Sequence, residues 1–220
     1  MNAQQAATDR NGYHHGGLPE TLMALAAEHI AEHGTEKLSL RALAREAGVS
    51  ATAPYRHFPT KKCLLAALAT QGFETLGGRT RAVVESDLNV EDRFVAMGVT
   101  YIEFAMENPV AYRLMFGSIL GDFTEYEMLT SAASETFAQV QRMLRMVIEE
   151  KELQVDVEQF SGVTWAGVHG IASLLLNKMQ KSDNGSAPMD SLARLDADKE
   201  GALRLMFANI VGGPAREPAR

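Results

Sequence analysis

Apolar residues recur at intervals of three and four positions along most of the chain, which is the period of an α-helix. The first run predicts a helix from Leu18 to about Ile30, and Gly34 follows it as a helix-terminating residue. Ser39 is a favourable N-cap for a second helix, whose apolar stripe continues to Ala47. The N-terminal part of the chain is therefore expected to begin with two helices, the second of them short.

A glycine-containing turn follows the second helix. Residues 48–50, with the sequence GVS, form the three-residue turn that is typical of a helix-turn-helix unit. Ser50 can cap a third helix over residues 51–58. Pro54 and Phe58 lie four residues apart in this helix, so they share the face that can pack against the first two helices.

The rest of the chain predicts further helices and no strand. Pro59–Thr60 begins a fourth helix, in which Gly77–Gly78 weakens the helix and either ends it or forms a hinge. Residues 182–190 form a loop by composition. Later helices are predicted over about 90–108, 110–116, 123–150, 156–178 and 192–210. The predicted fold class is all-α.

The composition is that of a soluble globular protein, because 46% of the 220 residues are hydrophobic and 22% are charged. The single cysteine, Cys63, excludes an internal disulfide and fits a reducing compartment. No leader with a basic and then an apolar segment opens the sequence. No apolar run approaches the roughly 20 residues that a membrane-spanning helix needs. We therefore expect a cytoplasmic protein.

The distribution of charge changes this picture. The chain carries a formal net charge of −7, yet residues 37–62 contain six Lys or Arg and one acidic residue. In the predicted third helix, Thr52 and Arg56 project away from the buried face, and Tyr55 and His57 flank them. Such side chains suit the major groove of DNA, where Arg can bond a guanine edge and Thr can contact a base edge or a phosphate.

Two lysines at the start of the fourth helix conflict with the stability of that helix. Lys61 and Lys62 lie in its first turn, where cations oppose the helix dipole. A DNA phosphate would resolve the conflict, because a helix N-terminus and two ammonium groups all attract an anion. The alternative is a solvated basic face. The predicted DNA-binding residues are Arg41, Arg45, Thr52, Tyr55, Arg56, His57, Lys61 and Lys62.

Metal binding and catalysis have weaker support in the sequence. His29 and His33 are spaced i, i+4, as in some zinc sites, but no third ligand or glutamate base accompanies them, so a hydrogen-bonded helix histidine is the default. Cys63 lies beside Leu64 and Leu65, where a buried, inert thiol is more usual than a nucleophile. No glycine-rich phosphate loop or nucleophile elbow is present. We predict no catalytic residue, metal or cofactor, and a helical enzyme is the weaker alternative.

The C-terminal part of the chain is rich in aromatic residues and methionine, and nine of the eleven methionines follow Gly78. Trp165 and His169 lie four residues apart, so their ring N–H groups could address one ligand or could brace two helices. Core packing is the alternative for each of these side chains. The predicted pocket for a small apolar effector comprises Tyr101, Tyr112, Phe116, Trp165 and His169.

The predicted helix over 156–178 is apolar on more than one side. One face can therefore pack inward while another packs against a second copy of the chain, together with the last predicted helix. The predicted homodimer interface comprises Leu174, Leu175, Leu203, Phe207 and Ile210.

The stretch SLRALAREAGVSATAPYRHFPTKKCLLAAL (39–68) resembles the helix-turn-helix of the TetR family of bacterial transcriptional regulators. Within it, Tyr55 and His57 match phosphate-contacting positions, Phe58 matches a core position, and Lys61 matches the lysine that opens the fourth helix. The resemblance is specific over about residues 13–76. Two further stretches, YHHGGL (13–18) and WAGVHG (165–170), are similar to a branch of the family whose C-terminal domain is marked by Trp, His and Gly.

This resemblance implies an all-helical homodimer of roughly nine helices, in which the first three helices bind DNA and the remainder forms an effector pocket and a dimer interface. The function that we expect is a repressor that a small apolar molecule releases from a palindromic operator. An activator and a regulator without an effector are the alternatives. The expected organisation is an arm at 1–12, a helix-turn-helix domain at 13–62, a connecting helix at 63–88, an effector-binding and dimerisation domain at 89–212, and a tail at 213–220.

Overall fold

The computed structural model describes residues 17–180 and 187–212, and over these residues the protein contains nine α-helices and no strand. The all-α prediction is confirmed. The expected arm, the expected tail and most of the YHHGGL stretch lie outside the described residues. The chain divides into two compact units, of which the first ends at Leu68 and the second begins at Ala69. This division lies inside a helix and not at the predicted end of the DNA-binding domain, Lys62.

The first unit is built from short helices around a small apolar core. Helix α1 is Leu18–His33, α2 is Leu40–Glu46, and the unit ends with the first turns of α3, Lys61–Val84. Its buried side chains include Leu22 of α1 and Leu43 of α2. The unit therefore depends on few side chains, and each of them contributes a large share of the packing.

The predicted turn after α2 is present and has well-defined hydrogen bonds. Gly48 has a φ of 70°, a conformation that favours glycine. The N–H of Val49 donates to the carbonyl of Ala44 at 2.9 Å, and the N–H of Gly48 donates to the carbonyl of Arg45 at 3.2 Å. This pair of bonds is a Schellman motif, which satisfies carbonyls that the end of α2 would otherwise leave unpaired.

The predicted third α-helix over 51–58 is wrong in its geometry, because this segment contains a single 3₁₀ turn, Ala53–Arg56. Two of its bonds span three residues: the N–H of Tyr55 donates to the carbonyl of Thr52, and the N–H of His57 to that of Pro54. The N–H of Phe58 also donates to the carbonyl of Pro54, at 2.8 Å, and this bond spans four residues. Pro54 has no N–H to donate, so it cannot contribute a bond to an α-helical ladder. The predicted faces are nevertheless retained, since Pro54 and Phe58 are buried.

Helix α3 continues through Gly77–Gly78 and neither ends nor breaks there. A side chain at Gly77 would place its Cβ 2.8 Å from the Thr136 hydroxyl oxygen. That hydroxyl donates to the carbonyl of Phe73 at 2.9 Å. Gly77 therefore allows the close approach of another helix, and the packing stabilises the glycine-containing segment.

The second unit comprises the rest of α3 and six further helices. Helix α4 lies at its centre and packs against α6, α7 and α9. The predicted helix over 192–210 is two helices, because Asp198 ends the first and caps the second by accepting the N–H of Gly201 at 2.8 Å. The bounds are Val90–Glu107 for α4, Pro109–Phe116 for α5, Glu127–Glu150 for α6, Val157–Gln180 for α7, Ala187–Ala197 for α8 and Lys199–Val211 for α9.

Helix α9 packs one face directly on α4. A Cβ at Gly98 would lie 2.7 Å from a methyl group of Leu203, so the glycine makes room for that leucine. Phe94 and Phe207 pack with ring centroids 5.0 Å apart. At the surface, Arg204 donates to Glu91 at 3.0 Å and to Asp92 at 2.7 Å.

These contacts correct part of the predicted dimer interface. Leu175, Leu203 and Phe207 are buried within one protomer, at 1%, 1% and 4% exposure, so they cannot contact a partner. Leu174 is 51% exposed, and Ile210 is partly exposed. The error arose because an apolar stripe does not reveal which neighbour covers it.

Leu203→Ala should lower the free energy of unfolding by about 2–5 kcal/mol, because it leaves a cavity between α4 and α9. The matched control is Leu88→Ala, which alters a leucine that is 43% exposed and should cost less than about 1 kcal/mol. Urea unfolding followed by circular dichroism measures both. Similar losses for the two variants would contradict the placement of Leu203 in the core.

Candidate functional site

The first unit presents most of its predicted DNA-binding side chains to solvent. Tyr55, Arg56 and His57 lie on or beside the 3₁₀ turn and are exposed, whereas Pro54 directly before them and Phe58 directly after them are buried. Tyr55 is 42% exposed, so its ring and hydroxyl are accessible to a partner. The other exposed members of the predicted set are Arg41, Arg45, Thr52 and Lys62.

The two lysines at the start of α3 differ in their surroundings. The Nζ of Lys61 donates to the carbonyls of Thr35 and Glu36, at 3.1 and 3.4 Å, and the side chain is half-buried. Lys61 therefore fastens the start of α3 to the segment between α1 and α2. Lys62 is exposed, and Thr60 caps the helix by accepting the N–H of Cys63 at 3.2 Å.

The second unit contains a cavity of about 690 Å³. Its lining includes Tyr101, Phe116, Trp165 and His169, four of the five residues predicted to form a pocket. Tyr112 instead lines a neighbouring hollow of about 360 Å³, which shares Phe116 and His169 with the cavity. The large cavity lies within the range of about 300–1,000 Å³ that is usual for small-molecule sites.

Sequence reasoning missed the contribution of α3 to this cavity. Phe73, Leu76 and Thr80 line it, although they belong to the segment that was expected only to connect two domains. Their spacing of three and four residues places them on one helical face, and that spacing was the available signal. The described residues around the cavity include no Lys, Arg, Asp or Glu. Its wall is therefore apolar apart from a few polar groups.

Two tyrosine hydroxyl groups, one from the cavity wall and one from the neighbouring hollow, meet at one imidazole nitrogen of the wall. The hydroxyl oxygens of Tyr101 and Tyr112 each lie 2.9 Å from Nδ1 of His169, and they lie 3.5 Å from each other. The Tyr112 hydroxyl is also 3.4 Å from the hydroxyl of Ser173. The Tyr112 ring stacks on the His169 ring with an interplanar angle of 20°. We call Tyr101, Tyr112 and His169 the Tyr–His cluster.

The cluster is uncharged at neutral pH. Burial raises the pKa of the Tyr101 hydroxyl far above its usual range, and the neighbouring Tyr112 adds to this effect. Burial also raises the pKa of Tyr112 and lowers the pKa of His169. Desolvation disfavours the charged form of each group, which is the phenolate in one case and the imidazolium in the other.

Two histidines of α1, His29 and His33, were considered as possible metal ligands. The rings of His29 and His33 lie 4.9 Å apart, and the His33 ring is 3.7 Å from the Glu32 carboxylate. Across residues 17–180 and 187–212, no group of three or more His, Cys, Asp or Glu is arranged to hold a metal ion. In the same part of the chain, every helix is too short or too polar to cross a membrane.

The lowered pKa of His169 predicts a pH dependence of stability. As the pH falls below about 6.5, the unfolded chain takes up a proton at His169 before the folded chain does, so stability is lost until the folded pKa is passed. The free energy of unfolding of the wild type should therefore fall more steeply between about pH 7 and 5.5 than that of His169→Gln, which cannot titrate. Urea unfolding at a series of pH values measures both slopes, and equal slopes would contradict the assignment.

Both units of the chain match known family models. Residues 22–68 match the model for bacterial regulatory proteins of the tetR family, and residues 94–198 match the tetracyclin repressor-like C-terminal domain. The chain is also similar to the nucleoid occlusion factor SlmA of Photobacterium profundum, with 28% identity over 135 residues. The aligned part is 61% of this chain and 68% of that protein.

Solved structures share the fold. A Rhodococcus sp. RHA1 protein of unknown function is 28% identical, with a TM-score of 0.71 over 89% of this chain and 98% of that chain. The regulator FadR of Bacillus subtilis, solved with stearoyl-CoA, is 14% identical, with a TM-score of 0.68 over 89% and 99%. Because models of one family match both the helix-turn-helix unit and the unit that holds the cavity, the chain belongs to the TetR family of DNA-binding transcriptional regulators.

Proposed function

We propose that this protein is a ligand-responsive repressor, which binds a palindromic operator as a homodimer and is released by a small, largely apolar molecule. The observation that carries the proposal is the cavity of about 690 Å³ in a unit separate from the DNA-binding unit. A cavity of this size is costly to leave in a core, since each unfilled methyl-sized space loses packing energy. A ligand-binding role accounts for it.

The comparisons support a ligand of this kind. The structure of FadR from Bacillus subtilis contains stearoyl-CoA, so a regulator of this fold can bind a molecule with a long apolar part. At 14% identity that likeness concerns the fold alone. The apolar wall of the cavity, with Phe73, Met97 and Val140, favours a hydrocarbon-rich ligand in this protein too.

We assign the DNA contacts by side-chain chemistry and exposure. Arg56 and Thr52 are proposed to address base edges, and Tyr55, His57 and Lys62 to address phosphates. Arg41 and Arg45 are exposed on α2 and would reach the flanking backbone. Because Lys61 already donates to two carbonyl groups, it positions the start of α3 and Lys62 takes the phosphate-binding role.

The proposed dimer uses the apolar side chains that one protomer leaves exposed on α7 and α9. Val163, Leu174 and Leu205 are 61%, 51% and 66% exposed, and Ile210 is partly exposed. A two-fold dimer would present two identical DNA-binding units to a palindromic operator. Light scattering at micromolar concentration should give twice the 24.0 kDa of the chain.

Lys62→Ala should weaken binding to all DNA sequences about equally and should reduce the slope of log K against log salt by about one unit. Lys61→Ala should instead lower the melting temperature of the protein, because two carbonyl groups lose their donor. Fluorescence anisotropy over a salt series, with melting curves for both variants, measures this difference. A larger loss of salt dependence in Lys61→Ala than in Lys62→Ala would reverse the assignment.

Arg56→Ala should cost about 1–3 kcal/mol of affinity for the operator and should relax the preference at one base pair in each half-site. Binding to scrambled DNA should change much less, since base edges and not phosphates are proposed as its target. The comparison uses operator and scrambled duplexes of equal length. Equal losses on both duplexes would make Arg56 a phosphate contact.

The experiment that tests the proposed function begins with capture of genomic fragments by the pure protein, which provides the operator. Small molecules are then screened for release of the labelled operator, with the fluorescence of Trp165 as an independent binding signal, because it is the only tryptophan. A ligand that prefers the DNA-free form shifts the population and releases the operator. Operator binding that no bound ligand alters would favour a regulator without an effector.

A further inference from the structure

We infer that the effector is an uncharged, mostly hydrocarbon molecule carrying an oxygen that accepts a hydrogen bond, and that Tyr101 is the donor that selects it. This inference rests on the proposed function, because it names the chemical class of the ligand for the same cavity. It is carried by three observations: the hydrogen bonds of the Tyr–His cluster, the access of Tyr101 to the cavity, and the charges that the cavity lacks.

The first observation is that two hydroxyl groups compete for one nitrogen. The oxygens of Tyr101 and Tyr112 are both 2.9 Å from Nδ1 of His169. A neutral imidazole nitrogen has either one lone pair or one N–H, so it cannot accept strong hydrogen bonds from two hydroxyl groups. Whichever tautomer His169 adopts, at least one tyrosine O–H lacks an acceptor at this nitrogen.

The second observation identifies Tyr101 as the hydroxyl group with the weaker acceptor. The Tyr101 hydroxyl donates to the Tyr112 oxygen at 3.5 Å, a long bond, which leaves Nδ1 of His169 at 2.9 Å for the Tyr112 proton, and Tyr112 lies outside the lining of the large cavity. Tyr101 does line that cavity.

A buried hydroxyl proton whose acceptor lies 3.5 Å away is poorly paired, and a ligand oxygen can pair it at a shorter distance. A carbonyl, ether or alcohol oxygen placed in the cavity beside Tyr101 would accept the proton. A pure hydrocarbon of the same size would fill the cavity but leave the donor with its long bond. The cluster therefore favours the binding of an otherwise apolar ligand that carries one hydrogen-bond acceptor.

The third observation excludes an anionic ligand group from this site. Among the described residues, no Lys or Arg lines the large cavity, and the lowered pKa of His169 keeps its ring neutral at neutral pH. Arg113 lines only the neighbouring hollow of about 360 Å³. A carboxylate beside Tyr101 would lose its hydration without gaining a cation, which is more costly than burying a neutral oxygen.

The test compares two probes of equal chain length, 2-undecanone and undecanoate, on the full-length protein at neutral pH. Calorimetry and the fluorescence of Trp165 measure the dissociation constants. The ketone should bind at least about tenfold more tightly than the carboxylate. Tighter or equal binding of undecanoate, or no binding of the ketone up to its solubility limit, would overturn the inference.

Two variants examine the role of Tyr101. Tyr101→Phe removes the donor and keeps the ring, so the ketone should bind about 3- to 10-fold more weakly, whereas undecanoate should be little affected. The control Tyr126→Phe deletes a hydroxyl from a side chain outside the lining of both cavities and should leave both constants unchanged. Unaltered ketone affinity in Tyr101→Phe would contradict the assignment of the donor.

A measurement on the wild type avoids any dependence on the folding of the variants. The carbonyl stretch of bound 2-undecanone should shift to lower wavenumber than in alkane solvent if Tyr101 donates to it, and an unshifted band would count against the inference. Measuring operator release distinguishes a failure of the proposed function from a failure of this inference. Release by undecanoate but not by the ketone would retain the proposed function and overturn this inference. Ketone binding without operator release by any ligand would retain this inference and overturn the proposed function.

Discussion

The second unit depends on the burial of α4 among three other helices. Helix α4 packs against α6, α7 and α9, and the absence of a side chain at Gly98 admits Leu203 of α9. Because α4 also carries Tyr101, the same packing holds the Tyr101 hydroxyl beside His169 of α7. The geometry of the polar cluster is therefore a consequence of how the core is packed, and the two cannot vary independently.

In the proposed function, the cavity and the exposed surface around Arg56 would bind their partners through different physical interactions. At the exposed surface around Arg56, charges are solvated, and attraction for a polyanion is long-ranged and weakened by salt. Inside the cavity the same low-dielectric surroundings that keep Tyr101 and His169 neutral make every unpaired polar atom costly. The proposed function therefore combines selection by charge in one unit with selection by hydrogen-bond matching in the other.

Small residues and proline shape the first unit. Gly48 adopts a positive φ that completes the turn, and Pro54 lies buried in the first turn of the 3₁₀ segment Ala53–Arg56. The segment is held by its buried side chains, including Phe58, and by Lys61, which donates to carbonyls 25 and 26 residues earlier. Exposed recognition side chains thus rest on a short, tightly anchored turn.

By itself, the sequence determined the all-α class, the helix-turn-helix, the buried positions of Pro54 and Phe58, and most of the helix bounds. These features depend on local rules, namely helical periodicity, capping and the backbone limits of glycine and proline, which act within a few residues. The 3₁₀ geometry at Ala53–Arg56 is the exception among these local features, because capping and periodicity alone favour an α-helix there.

The tertiary structure decided what depends on residues far apart in the chain. The partners of Lys61, the helix that fills the space at Gly77, the protomer core around Leu203 and the contribution of α3 to the cavity all involve such contacts. A periodic stripe shows that a face is buried but not what covers it, and a cavity is a space that no single segment encodes. Only the packed helices could therefore reveal that Tyr101 and Tyr112 share one nitrogen of His169.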